Sequence, residues 1–219
     1  MKKRIFVTAT NTDIGKTYTT KLLLKSFAAR GLRVGVMKPI ETGVVDGNYP
    51  DGSELLSLVQ ELNPAFLDLQ VEDIVPIAYR LPAAPFVASD GKALDLATLQ
   101  AKIERVEKLC DVLILEGAGG LYVPVDDNYM IIDLIEIFGA VALLVTHCAL
   151  GCINDTLLSK KALEERGIAH AVAFNCRGEE SFSQITLPYF KKSGFEVLQV
   201  EDDIDTLSQL LYNLEVAKT

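Results

Sequence analysis

Residues 9–17 read Ala9-Thr10-Asn11-Thr12-Asp13-Ile14-Gly15-Lys16-Thr17. They stand between the apolar run Ile5-Phe6-Val7 and an amphipathic stretch that begins at Lys21. That order is strand, loop, helix, with Gly-Lys-Thr at the helix entrance. A loop of this kind turns successive backbone N–H groups toward one point, and the helix N-terminus adds partial positive charge there. Phosphate is the natural occupant. In such a loop Lys16 reaches the β- and γ-phosphates and the Thr17 hydroxyl holds Mg²⁺. A chance Gly-Lys-Thr would explain neither the strand before it nor the helix after it. The phosphate-loop pattern begins with Gly, and Ala9 stands there. Ala tolerates positive φ poorly, so the first turn is expected to be built with negative φ.

Apolar and helical patterns alternate through most of the remaining chain. Strands are expected at 4–8, 33–38, 112–116, 141–146, 169–175 and 196–200. Helices are expected at 18–30, 96–108, 130–138, 154–166, 182–192 and 204–214. Gly31, Gly167 and Gly194 each follow a helical pattern where a positive φ ends a helix. Near-continuous Val/Ile/Leu strands separated by helices imply an α/β fold: a mostly parallel, doubly wound sheet flanked by helices on both faces. Ligands of such sheets sit beyond the carboxyl ends of the strands. A length of 219 residues fits one large domain, expected here as a single phosphate-loop unit over 1–219. The irregular part is 42–94, which holds Pro50, Pro64, Pro76, Pro82 and Pro85. It reads as an insertion with a short helix at 53–62 that carries substrate contacts.

Composition excludes several classes. A net charge of −9 with no Lys/Arg-rich stripe argues against general nucleic-acid binding. No apolar run approaches the roughly 20 residues needed to cross a bilayer. The basic start Met1-Lys2-Lys3-Arg4 is followed only by a strand-length apolar run, so a cytoplasmic protein is expected. The four cysteines, Cys110, Cys148, Cys152 and Cys176, form no Cys-x-x-Cys pair. They are expected as buried, reduced thiols, and with two histidines in the chain a metal site built on Cys and His is not expected.

Four further segments carry chemistry. Lys38 ends the second strand, in Lys38-Pro39-Ile40-Glu41-Thr42-Gly43, and so falls at the ligand edge beside the phosphate loop. A second lysine there neutralises charge on a transferring phosphoryl group. Glu116 ends the apolar strand Leu113-Ile114-Leu115, where nucleotide-binding folds place a second Mg²⁺ contact. Gly117, Gly119 and Gly120 follow it and let backbone approach a ligand closely. The segment 146–154 leaves a strand and enters a helix whose free N–H groups suit a carboxylate, although Asn154 serves equally well as a plain cap. Asn175 closes another strand, and its amide offers a donor and an acceptor to a base edge. His147 reads as structural.

In this order the motifs resemble those of the dethiobiotin synthetase family of biotin biosynthesis. The family's Gly-Thr-Asp-Thr-x-x-Gly-Lys-Thr corresponds to residues 9–17, with Ala9 and Asn11 replacing Gly and Asp. Lys38-Pro39-x-x-Thr42-Gly43, Glu116-Gly117-Ala118-Gly119-Gly120, Gly151-Cys152-Ile153-Asn154 and Asn175 match as well. The resemblance covers roughly residues 4–200 and implies a homodimeric, ATP- and Mg²⁺-dependent ligase. It would carboxylate 7,8-diaminopelargonate with CO₂ and close the ureido ring by way of a carbamate and a carbamic–phosphoric anhydride. It implies nucleotide contacts from Thr12, Asp13, Ile14, Gly15, Lys16, Thr17, Glu116, Gly119 and Asn175. Lys16 and Lys38 would be the catalytic pair, and the metal would lie on Thr17, Glu116 and either Glu54 or Asp51. Thr42, Gly151, Cys152, Ile153 and Asn154 would contact substrate, the last four receiving its carboxylate across the dimer interface. Base contacts made after Val200 by relatives have few counterparts here. The runner-up readings are a nucleotide-switch ATPase of the chromosome-partitioning type and an amidoligase of the cobyrinate type. The first would carry an additional lysine near the start of the loop, where Thr10 and Asn11 stand. The second would carry a glutaminase domain.

Overall fold

The apolar runs pair as parallel strands. The computed structural model describes residues 2–179 and 181–216. In chain order these form β1 (Lys3–Ala9), α1 (Lys16–Ala29), β2 (Val34–Met37), β3 (Ile40–Thr42), α2 (Pro50–Leu62), α3 (Val71–Ile74), β4 (Ile77–Tyr79), α4 (Pro85–Ala88), α5 (Leu96–Glu107), β5 (Val112–Gly120), α6 (Ile131–Ile137), β6 (Val141–His147), α7 (Cys152–Glu165), β7 (His170–Asn175), α8 (Phe182–Ile185), α9 (Leu187–Ser193) and α10 (Ile204–Asn213). The main sheet has the order β2-β5-β1-β6-β7, and every pairing in it is parallel. The strand that feeds the phosphate loop is therefore central, with Glu116 beside Val7 on one side and Leu144 beside Thr8 on the other.

Residues 5–7, 112–116 and 141–146 are buried throughout, as strands covered on both faces must be. Alternation along β1 shows which helices cover which face. Arg4 and Phe6 point to one side, where Arg4 bonds Glu107 at the end of α5 and Phe6 stacks on Phe138 just past α6. On the same side the Thr146 hydroxyl meets that of Thr156 in α7 at 2.7 Å. The other face is covered by α1, which packs against α2 and α10. The Ser26 hydroxyl donates to the Asp205 carboxylate at 2.6 Å and locks α1 to α10.

Four expectations change. The segment 182–192 is two short helices, α8 and α9. Pro188 has no N–H to donate back and its ring crowds the preceding turn, so one continuous helix cannot form. The run 196–200 lies parallel to β7 through only two backbone bonds, Phe174 N–H to Leu198 and Val200 N–H to Phe174. It does not extend into a strand because the chain turns at 200–202, where the Asp203 N–H donates to the Gln199 carbonyl at 2.9 Å and the Gln199 N–H donates to the Asp203 carboxylate at 2.7 Å, and enters α10. The insertion holds a small parallel pair, β3 with β4, in addition to α2. Finally, Cys148 and Cys176 are joined as a disulfide while Cys110 and Cys152 are free and buried. The join follows from register: His147 lies opposite Asn175, so the next residue of each strand is the matching pair. Burial pushes the Cys110 thiol up to about 12, which keeps it protonated and unreactive.

Candidate active site

The loop after β1 is shaped by two left-handed residues, Asp13 (φ 58°) and Gly15 (φ 94°). Ala9 has no positive φ and stays in β1, so a residue with a side chain fits there. Asn11 turns its side-chain oxygen onto the Thr12 N–H at 2.8 Å, a bond an aspartate would make equally well. Gly15 is required twice over. Its φ is poorly tolerated by other residues, and a Cβ there would come within 2.2 Å of Asn175 Nδ2. Asn175 ties the loop to β7 by donating from Nδ2 to the Ile14 carbonyl at 2.8 Å. Its oxygen is buried and has no partner among the described residues.

Beneath the loop, four side chains from four elements converge. Lys38 follows β2, Asp51 opens α2, Glu116 belongs to β5 and Thr17 to the first turn of α1. The Lys38 ammonium donates to Glu116 Oε1 at 2.8 Å and to Asp51 Oδ2. Thr17 Oγ1 lies 2.9 Å from Asp51 Oδ1 and 2.8 Å from Glu116 Oε1. One hydroxyl proton serves only one carboxylate at a time, so Lys38 is the chief counter-charge. Burial opposes the ammonium of Lys38, but Glu116 and Asp51 outweigh it and hold its pKa above the ordinary lysine value. Burial likewise opposes the Asp51 carboxylate, and Lys38 more than offsets it, holding the group below the usual range. Lys16 is the contrasting case. Burial lowers its pKa although Glu116 works against the shift, and among the described residues its ammonium hydrogen-bonds only the Asn11 carbonyl, at 3.4 Å.

This cluster fits a hard cation. Two carboxylates and a hydroxyl are the oxygen donors Mg²⁺ accepts, with phosphate oxygens and water completing its shell. Glu116 Oε2 is buried without a hydrogen-bond partner among the described residues, which leaves an acceptor in the cluster. The cluster opens into a cavity of about 770 Å³ bounded by Lys16, Thr17, Lys38, Thr42, Asp51 and residues 82–85.

The structure brings Thr12, Asp13, Gly15, Lys16, Thr17, Lys38, Thr42, Asp51 and Gly119 to this one cavity, with Glu116 in its floor. Glu54 is not part of it. Its carboxylate pairs with Lys21 on the outer side of α2, 2.6 Å away, so Asp51 is the second acid of the cluster. Two of the glycines after Glu116 serve the chain itself: Gly117 lies under the Phe6 ring and Gly120 under the backbone of Ala9 and Thr10. Gly151, Cys152, Ile153 and Asn154 begin α7 and do not line the cavity, and the Cys152 side chain is wholly buried. Leu150 beside them is 88% exposed. Sequence reading placed substrate contacts in the 42–94 insertion without singling out residues 82–85, and it missed Glu41, whose carboxylate accepts the backbone N–H of Asp51 and of Gly52. Burial pushes the Glu41 carboxyl upward and these two bonds act against that. The proline content of the segment was the available signal for residues 82–85. A single acid in β3 gave none. Near the loop, the Arg177 guanidinium lies 4.2 Å from the Tyr18 ring, and the Tyr18 hydroxyl donates to Glu201.

A family model described as an AAA domain matches residues 3–217. The ATP-dependent dethiobiotin synthetase BioD of Sulfurovum sp. (strain NBC37-1) is 46% identical over 187 residues, 85% of this chain and 89% of that protein. The enzyme of the same name from Wolinella succinogenes is 36% identical over 95% of this chain and 98% of its own length. Among solved structures, a plasmid partition protein from Borrelia burgdorferi aligns with a TM-score of 0.58 at 10% identity, covering 96% of each chain. A GTPase from Pyrococcus abyssi aligns with a TM-score of 0.58 at 13% identity, covering 96% of this chain and 98% of that one. At such low identity the structures speak for the fold alone. Among the described residues no helix is long and apolar enough to cross a membrane.

Proposed function

The chain belongs to the dethiobiotin synthetase family, and from that premise we propose how its own residues divide the work of an ATP-dependent C–N ligase in biotin synthesis. The substrates are 7,8-diaminopelargonate, CO₂ and ATP. One amine takes up CO₂ and loses a proton to become a carbamate. A carbamate oxygen attacks the γ-phosphorus and ADP leaves. The second amine then attacks the carbamate carbon, the C–O bond breaks and phosphate departs with that oxygen.

The observation that carries this reading is the Lys38–Asp51–Glu116–Thr17 cluster beneath the phosphate loop. Lys38, held between two carboxylates, acts as a fixed positive charge toward the γ-phosphoryl oxygens; it is not a base. Lys16 has only one weak protein contact and is available to the β- and γ-phosphates. Thr17, Asp51 and Glu116 would hold Mg²⁺, which when bound withdraws charge from the phosphate oxygens. Little acid–base chemistry is required of the protein, since CO₂ and amine react once they are held together. Asn175, whose Nδ2 holds the Ile14 carbonyl at the phosphate loop, is the side chain to which the family resemblance assigns reading of the base. Thr42 and residues 82–85 line the same cavity and suit the substrate's carbon chain.

The start of α7 lies outside this cavity while Leu150 and Leu158 beside it are exposed. That supports a homodimer in which Gly151, Cys152, Ile153 and Asn154 of one copy receive the substrate carboxylate bound by the other. The reading is tested by ADP release in three arms: ATP alone, ATP with bicarbonate, and both with diaminopelargonate. Release confined to the third arm supports it. Equal release in all three would mark a nucleotide-switch ATPase.

A further inference from the structure

Helix α2 cannot cap itself. Tyr49 at its N-cap makes no side-chain bond to the helix, and Pro50 in the first turn has no N–H. The first two free amides, those of Asp51 and Gly52, are met instead by one carboxylate from a different element. Glu41, in the middle of β3, accepts the Asp51 N–H on Oε1 at 2.7 Å and the Gly52 N–H on Oε2 at 3.1 Å. Glu41 is only 1% exposed. A buried carboxylate is costly unless it is bonded and faced by positive charge. Here two backbone donors and the positive end of α2 supply both. Gly52 completes the fit, since a Cβ there would lie 2.8 Å from Glu41 Oε2 and 2.5 Å from Val75 Cγ2.

We propose that Glu41 is a positioning residue for the metal site: by capping α2 it fixes where Asp51 presents its carboxylate to Thr17 and Lys38. The capped residue and the acid of the cluster are the same residue. The Asp51 backbone is pinned by Glu41 while its side chain reaches Thr17 and Lys38. Among the described residues Glu41 makes no hydrogen bond to Thr17, Lys38 or the phosphate loop; its geometric hold on the cluster passes through Asp51, while its charge also faces Lys38. This inference rests on the assignment of Asp51 to the metal, and the test separates the two.

The experiment uses the full chain as wild type, Glu41→Gln, Glu41→Asp, Asp51→Asn and the Glu41→Gln/Asp51→Asn double variant. Calorimetry measures the affinity of a non-hydrolysable ATP analogue without metal and across a Mg²⁺ titration, and melting curves report the fold. Gln keeps the size of Glu41 but offers one acceptor to two N–H groups. Asp keeps the charge on a shorter arm and serves where the Gln variant does not fold. Without metal, both Glu41 variants should bind the analogue within about 2-fold of wild type, because the phosphate loop is untouched. With metal, Glu41→Gln should need about 10-fold more Mg²⁺, the usual scale for losing a group that orients a ligand. The double variant should resemble Asp51→Asn alone, since both changes act through one side chain. A lowered melting point with unchanged Mg²⁺ dependence would show that Glu41 only holds the fold, and would overturn the inference while leaving Asp51 in place. Additive shifts in the double variant would also overturn it. Unchanged Mg²⁺ dependence in Asp51→Asn would remove the metal assignment beneath it.

Discussion

Replacing Lys38 with Met keeps most of the side-chain volume and removes the charge between two carboxylates. The Lys38 and Glu116 side chains are 5% and 0% exposed, so Glu116 would be left as a buried anion with only the Thr17 hydroxyl for support. Removing one partner of a buried pair costs about 3–5 kcal/mol. Asp51, at 39% side-chain exposure, is free to turn to water, which reduces the expected loss to about 2–3 kcal/mol. For a chain of this size that lowers the melting temperature by roughly 4–12 °C. Turnover should fall by about 100-fold or more, the scale of one lost preorganised donor. The two losses come apart in the double variant Lys38→Met/Glu116→Gln. Neutral Gln removes the buried anion, so most of the stability should return while turnover stays low. Thermal melts and steady-state ADP release on the same preparations decide it. The reasoning fails if Lys38→Met melts within about 1 °C of wild type, or if the double variant recovers activity together with stability.

Lys16→Ala should lower turnover by about 100-fold with little change in melting temperature, because a loop lysine with one weak contact packs little; activity within a few-fold of wild type would remove it from the phosphates. With one amide reading the base, ATP should be preferred over GTP or CTP by less than about 100-fold in kcat/KM, and Asn175→Ala should flatten that preference. A preference that survives the change would point to the Tyr18, Arg177 and Glu201 group. Hydrogen bonding to Arg4 holds the Glu107 carboxyl below its ordinary value of 4.5. A depressed carboxylate stabilises the fold above its unfolded pKa and loses that contribution as pH falls through the folded one. Arg4→Ala should therefore cost about 1 kcal/mol at pH 7, measured by denaturant unfolding, with the gap to wild type narrowing below about pH 4.

The fold was readable because buried parallel strands are written as continuous apolar runs. The runs at 4–8, 112–116 and 141–146 reappear in β1, β5 and β6 with ends shifted by a few residues. Periodicity was silent about β3 and β4, which are three residues each and too short to show a pattern. It was equally silent about the join of Cys148 to Cys176, which depends on strand register across 28 positions. At the site, the motif residues were legible because a phosphate loop requires Gly, Lys and Thr at fixed spacing. The choice between Asp51 and Glu54 was not. They lie three residues apart on α2, and only packing shows that one faces Thr17 while the other faces Lys21. Glu41 was invisible for a similar reason: its partners are backbone amides ten residues on, and no side-chain pattern announces them.

A ligase that works through a carbamic–phosphoric anhydride must pass one oxygen of CO₂ to phosphate. Its atom balance can be followed directly. With bicarbonate labelled in heavy oxygen, and water unlabelled, one oxygen of the substrate CO₂ should remain in the ureido carbonyl. The other should leave in inorganic phosphate, read by mass spectrometry in early time points before bicarbonate exchanges with water. Heavy oxygen in both products, at matching enrichment, is the predicted result. Dethiobiotin formed together with phosphate that carries no label would show that no carbamate oxygen ever reached the phosphorus, and would contradict the account.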